Sequence, residues 1–209
     1  MINMMIKFKY IAFILILTLM SGCIVVKHKT MVEENVEVTL NPKPEIPMSD
    51  KLVRSKKGDM IAFLPKDWFF VDVEEKASAD IFAVAVNPDY TLSAVFSIIK
   101  KNDITDSIVA KEGLLGLARI CLDRHEKKTA GAVKQVGKYT TIHLGTLSFT
   151  KFDFSNSSGS MVSQSAVFKS SINQYYEYSL IPMNITGKPL PSQIEIDKIF
   201  RSIMTTIQY

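Results

Sequence analysis

The residue in this sequence whose neighbours most clearly prescribe a chemistry is Cys23. It follows Met20-Ser21-Gly22 at the end of an apolar stretch. The small side chains of Ser21 and Gly22 leave the backbone open to a peptidase cutting between Gly22 and Cys23. The Cys23 thiol is the nucleophilic atom of this stretch. Elsewhere the material for chemistry is thin. His28, His125 and His143 are the only histidines, and Cys121 is the only other cysteine. No Gly-x-Ser-x-Gly, His-Glu-x-x-His or phosphate-binding glycine loop occurs. Asp72, Glu74 and Glu75 form the densest carboxylate group, without the spacing of a calcium loop. His125 falls near a helix end, where a cation suits the dipole. His143 falls on the polar side of a strand, opposite Ile142 and Leu144. Cys121 sits among Leu117, Ala118, Ile120 and Leu122 and reads as a small buried hydrophobe. The expectation is a protein that is not an enzyme, with no catalytic residue, no metal ligand and no cofactor beyond covalent lipid on Cys23.

The residues before Cys23 explain why it would be modified. Lys7 and Lys9 are the only charges in the first 22 residues, and Tyr10-Ile-Ala-Phe-Ile-Leu-Ile-Leu-Thr-Leu19 follows. That core is short of the ~20 apolar residues of a membrane span. A charged start, a short apolar core and a small-residue exit make a secretory signal over 1–22. Met20-Ser21-Gly22-Cys23 resembles the lipobox of bacterial lipoproteins, with Met20 in place of the commoner Leu. The resemblance implies diacylglycerol and an N-acyl chain on Cys23, a stable anchor because two or three chains insert together. It places the protein in the bacterial cell envelope. Ile24, rather than Asp, after the lipid-bearing cysteine favours the outer membrane, facing the periplasm, if the source is Gram-negative. With Cys23 lipidated, Cys121 is alone and the exported domain has no internal disulfide.

Without the signal, 23 basic and 21 acidic residues remain, a near-neutral balance that does not suggest nucleic acid as a partner. Lys51, Arg54, Lys56 and Lys57 form one basic cluster, and Arg124, Lys127 and Lys128 a second. The first lies nearer the anchor in sequence and is the candidate for contact with anionic headgroups. Residues 23–57, with Pro42, Pro44 and Pro47, read as the lipidated N-terminus and a flexible tether. Val36-Glu-Val-Thr-Leu40 carries strand-like alternation within it.

Residues 58–209 read as one globular domain, large enough to bury a core without cross-links. Strands are expected at Met60–Leu64, Phe69–Val73, Ile81–Val86 and Thr91–Ile99. A helix is expected over 107–127, capped by Thr105 or Asp106, with Gly113 and Gly116 marking close packing on the sheet. Further strands follow at Tyr139–Leu144, Leu147–Phe154, Met161–Lys169 and Gln174–Ile181. The apolar phase slips from Leu147 and Phe149 to Phe152 and Phe154, which suggests a bulge near Thr150. A last helix starts at the capping box Ser192-x-x-Glu195 and carries an apolar stripe of Ile196, Ile199, Phe200, Ile203 and Ile207. The order defines an α+β fold, an antiparallel β-sheet with helices packed on its faces.

Several of these stretches carry a resemblance. They are Phe63-Leu-Pro-Lys-Asp-Trp68 near the domain start, the mid-chain helix, the strand meander, and a Tyr-rich last strand before Ile196-Asp-Lys-Ile-Phe-Arg-Ser-Ile203. Together they resemble the PsbP-like family. That family spans the extrinsic PsbP subunit of photosystem II, a Ran-binding nuclear import factor and envelope lipoproteins of the DcrB group. The resemblance implies an α/β/α sandwich over 58–209 that binds or steadies a larger assembly, and it supplies no catalytic residues.

The expected function is therefore a non-enzymatic binding or accessory subunit of an envelope protein assembly. Its partners would be the membrane, through the anchor, and an envelope protein. Trp68 and Tyr175 are the candidate contacts, since Trp is enriched at interface hot spots and alternation sets Tyr175 apart from Tyr176 and Tyr178. The alternative is a carrier or sensor of a small apolar or lipid ligand, in a cleft between sheet and helix lined by Phe96, Phe149 and Phe168. A hydrolase is a third reading and would need the fold to bring a nucleophile and a base together.

Overall fold

In a computed structural model, residues 34–72, 78–156, 159 and 161–209 are described. Alternating strand sequences build an eight-stranded sheet from β1 (Glu34–Thr39), β4 (Phe69–Phe70), β5 (Ile81–Val86), β6 (Leu92–Ile99), β7 (Val133–Leu144), β8 (Leu147–Asn156), β9 (Val162–Lys169) and β10 (Tyr175–Pro182). Their spatial order is β1-β7-β8-β9-β10-β6-β5-β4. Every pairing is antiparallel except β1 on β7. A separate hairpin of β2 (Met48–Arg54) and β3 (Ile61–Pro65) packs beside the sheet. The helices are α1 (Asp103–Lys128) and α2 (Gln193–Thr206).

The sheet is buried on both faces, and each face has its own core. On one side Leu92, Ala94, Phe96, Phe149, Phe168, Tyr176, Tyr178 and Leu180 meet α2 through Ile196, Phe200, Ile203 and Ile207. The β2–β3 hairpin closes the same core with Val53, Met60, Ala62 and Leu64. On the other side Phe152, Phe154, Val167 and Tyr175 meet α1 through Leu117, Ala118, Cys121 and Leu122. The result is the expected α+β architecture, a mostly antiparallel sheet with helices on its faces.

Four local expectations change, each for a physical reason. Residues 34–54, read as tether, contribute β1 and β2, so the folded unit starts well before residue 58. The charges that made this segment look like a linker fit an edge strand, where one side of the backbone stays in water. The phase slip in β8 is not a bulge at Thr150, because Thr150 to Ser155 pair with β9 in unbroken register. Phe149 simply serves the α2 core while Phe152 and Phe154 serve the α1 core. The register shift lies on β7 instead, between Val136 and Thr140, where Gly137 has φ +68°.

Helix α1 begins earlier than expected because Asn102, not Thr105 or Asp106, caps it, its side-chain oxygen accepting from the Thr105 N–H at 2.8 Å. Gly113, at φ 64° and ψ −149°, breaks the helix into two segments. Gly116 is needed for contact within α1 and not against the sheet, since a Cβ there would lie 2.6 Å from Ile108 Cγ2. The α2 capping box forms as its sequence implied, with Ser192 and Glu195 exchanging hydrogen bonds.

Candidate functional site

Helix α1 crosses β7, β8 and β9, so the same side of β10, β6 and β5 is left as the floor of a groove. Strand alternation decides which residues face it. Glu177 stands opposite Ser97, and Ser179 opposite Val95, with Ile181 two residues further along β10. Ile81 of β5 also pairs with Ser97. Ser78 and Asp80 from the turn before β5, and Arg124, His125 and Lys128 from the last turns of α1, complete the walls of a cleft of about 230 Å³.

Glu177 is the anchor of this wall. Its side chain is 2% exposed. Arg124 Nη2 donates to its Oε2 at 2.6 Å, and His125 Nε2 lies 2.7 Å from its Oε1. Burial pushes the Glu177 carboxyl up, but hydrogen bonds and charge from His125 and Arg124 together hold it below its ordinary value. The His125 ring is fixed from behind by stacking on Phe154, 4.6 Å between centroids at 20°. Cys121 lies fully buried beneath, and burial first, then the Glu177 charge, pushes its thiol well up. A thiol so placed is a packing group, not a nucleophile.

Glu177 has both oxygens engaged, so it orients Arg124 and His125 instead of taking protons from a ligand. The floor alternates apolar Val95, Ile181 and Ile81 with the hydroxyls of Ser97 and Ser179, and a hydrogen bond of 2.5 Å joins the hydroxyls of Ser179 and Ser165. A hydroxyl–imidazole contact lies outside the groove, His143 Nδ1 to Ser148 Oγ at 2.9 Å. These two residues are direct cross-strand partners beside the β7–β8 turn. No carboxylate contact to that ring is seen among the described residues, so the third member of a nucleophile triad is not assembled there.

Gly22 and Cys23 lie outside the described residues, as do His28, Glu74 and Glu75. Among the described residues, no group of three or more His, Cys, Asp or Glu side chains converges as a metal-ligand set. No described helix is long and apolar enough to cross a membrane.

Both candidate contact residues prove to be buried. Trp68 is 4% exposed and belongs to the α2 core. Tyr175 is 5% exposed, lies in the α1 core, and donates its hydroxyl to Asp106 Oδ1 at 2.8 Å. Alternation does separate Tyr175 from Tyr176 and Tyr178. With both faces covered, it sorts them between two cores rather than between core and solvent. Phe96, Phe149 and Phe168 likewise line no open cleft: each is 0% exposed, with Phe96 stacked on Tyr178 and Phe168 on Tyr176.

Glu177 was not singled out from sequence, although a signal existed. It is the one charge within Tyr-Tyr-Glu-Tyr-Ser-Leu-Ile, and a carboxylate in an otherwise buried strand requires a charged partner. Arg124 and His125, 53 and 52 residues away, supply it.

The geometry defines a class, an α+β protein of PsbP-like fold. Comparison with solved structures carries that assignment. The chain resembles cyanobacterial PsbP (CyanoP) from Synechocystis sp. PCC 6803 with a TM-score of 0.56 at 10% identity, over 76% of this chain and 92% of that one. At that identity the likeness is one of fold. A structure from Bacteroides thetaiotaomicron aligns at TM-score 0.37 and 17% identity, over 76% of this chain and 47% of that one, too loosely to add to it. No protein-family model matches the chain. No curated protein matches it either.

Proposed function

We propose that this chain is a lipid-anchored bacterial envelope protein whose domain is a non-enzymatic binding or accessory subunit, holding an envelope protein partner on the α1-side groove. The observation that carries the reading is the groove itself. It joins an apolar floor of Ile81, Val95 and Ile181 to a polar wall of Arg124, His125, Lys128 and Asp80. An apolar centre with a charged rim is the anatomy of a protein interface. Pairing Arg124 and His125 with the buried Glu177 holds that wall in one geometry, which lowers the ordering cost of binding. The apolar-ligand reading loses its support with the filled positions of Phe96, Phe149 and Phe168.

The test is photo-crosslinking in cells with a reactive amino acid at Ile81 or Ile181, against Val36 on the exposed face of β1. A discrete adduct to another protein from the groove positions and none from Val36 is expected. Adducts of equal pattern from all three, or none from the groove, would sink the docking site. The anchor is checked separately by lipid labelling, which Cys23→Ser should abolish.

A further inference from the structure

β1 is the outermost strand of the sheet and is bonded on one side only, to β7. Its side chains divide between the two faces. Glu37 and Thr39 stand beside Ile142 and Leu144, on the α2 side. Val36 and Val38 stand beside Thr141 and His143, on the α1 side with Tyr139. Helix α1 does not cover them. Val36 and Val38 are each 64% exposed, and Leu40, one residue past the strand, is 79% exposed. An apolar stripe so open is unusual on a strand that borders water.

The backbone of β1 is open along the same residues. In a parallel pair, successive residues turn their N–H and C=O groups alternately to the two sides of the strand. The Thr39 carbonyl accepts from the Gly145 N–H at 2.8 Å, so Thr39 and Glu37 bond inward to β7. Val36 and Val38 therefore turn theirs outward, and no described backbone group pairs with them. A charged side chain commonly guards such an edge. Glu37 is the one charge in residues 35–40, and it is neutralised within the chain: Arg201 of α2 donates to its Oε2 at 2.7 Å.

We propose that β1 pairs antiparallel with β1 of a second copy of this chain, across a twofold axis that joins two sheets into one. Charge and apolar pattern select the register. With Val38 opposite itself, Val36 meets Leu40 of the second copy and Glu37 meets Thr39. Both apolar stripes then share one face, and both Glu37–Arg201 pairs share the other. With Glu37 opposite itself, like charges would face each other directly. With Val36 opposite itself, Val38 would meet Glu34. Pro42, which has no N–H to donate, lies just beyond Leu40 and ends the pairing. The α1-side groove is built on β10, β6 and β5, towards the other edge of the sheet, so the pairing leaves it open and does not rest on the function proposed above. A photoreactive residue at Val36 would join two copies of this chain and no other protein.

The test places single cysteines in the full chain carrying Cys121→Ala. Cells are treated with a thiol oxidant, and covalent products are identified by mass on non-reducing gels. The parent chain, with Cys23 as its only cysteine, sets the background. Val38 opposite itself is a hydrogen-bonded pair with Cα atoms about 5.5 Å apart, within disulfide reach. Val38→Cys should give at least about fivefold more homodimer than Glu37→Cys, which has Thr39 rather than itself across the strands. Co-expressed Val36→Cys and Leu40→Cys copies should crosslink to each other, and adding Val38→Lys to both should abolish that product by setting two ammonium groups on the axis. Equal homodimer from Val38→Cys and Glu37→Cys would mean random collision and overturn the pairing. So would background levels from both Val38→Cys and the 36–40 mixture, a 36–40 product that survives Val38→Lys, or adducts to a different protein alone.

Discussion

At the scale of single residues, three neighbouring tyrosines show how little the residue type says without its surroundings. Tyr176 and Tyr175 each donate to a carboxylate, Asp59 and Asp106, and burial first, then those hydrogen bonds, push both phenols up to about 12. Tyr178 is sandwiched between Phe96 and Phe200, with ring centroids 5.0 Å away on each side. Its hydroxyl is buried without a hydrogen-bond partner among the described residues. A buried polar group with no partner costs about 1–3 kcal/mol. Tyr178→Phe should therefore leave the unfolding free energy unchanged or raise it by up to about 1 kcal/mol. Tyr176→Phe should lower the stability by about 1–2 kcal/mol, because it removes one of the hydrogen bonds that the Asp59 carboxylate accepts. Chemical denaturation of the two variants side by side checks the contrast.

At the scale of elements, α1 is the part most exposed to a single change. Gly113 occupies a backbone region that side chains resist, and Gly116 leaves no room beside Ile108. Gly113→Ala should destabilise by about 1–3 kcal/mol through strain alone. Gly116→Ala should destabilise comparably, by forcing apart the two segments of the helix. If Gly113→Ala instead raised the thermal midpoint, as it would in a straight helix, the break in α1 would not be required by the fold. Both glycines stand out in the sequence of an expected helix, read there as marks of close packing on the sheet. What they serve is not legible there, because the contact with Ile108 exists only once the helix has bent.

At the scale of the whole molecule, buried carboxylates make stability depend on pH, and their signs differ. Glu177 and Asp59 sit below their ordinary values in the folded protein. In both, burial acts upward but is outweighed, by His125 and Arg124 for Glu177 and by hydrogen bonds from Ser170, Tyr176 and Ser55 for Asp59. The stability they contribute is present above the unfolded values near ~4 and is lost as pH falls through the folded ones. Asp153 opposes them: burial raises its carboxyl despite Lys151 at 2.8 Å, so it gains stability on acidification. Two groups against one predicts net loss of stability between about pH 5 and pH 3. Glu177→Gln should flatten that profile and cost about 2–3 kcal/mol at pH 7, since it leaves Arg124 half-buried without its counter-charge. A profile that keeps its slope in the variant would mean that Glu177 is not the group titrating.

The sequence by itself determined the order of strands and helices after residue 58, the capping box that starts α2, and hence the α+β class. Those follow from signals read over a few residues, namely period-two alternation, period-three-to-four stripes and capping side chains. The tertiary structure alone decided that both sheet faces are covered, and so that Trp68 and Tyr175 are core. It also recruited residues 34–39 by parallel pairing with a strand a hundred residues later. It brought Arg124 and His125 to Glu177. Each of these depends on contacts distant in sequence, whose outcome is set by what else needs covering. Alternation shows that a strand has two sides, but only the packed molecule shows what each side meets.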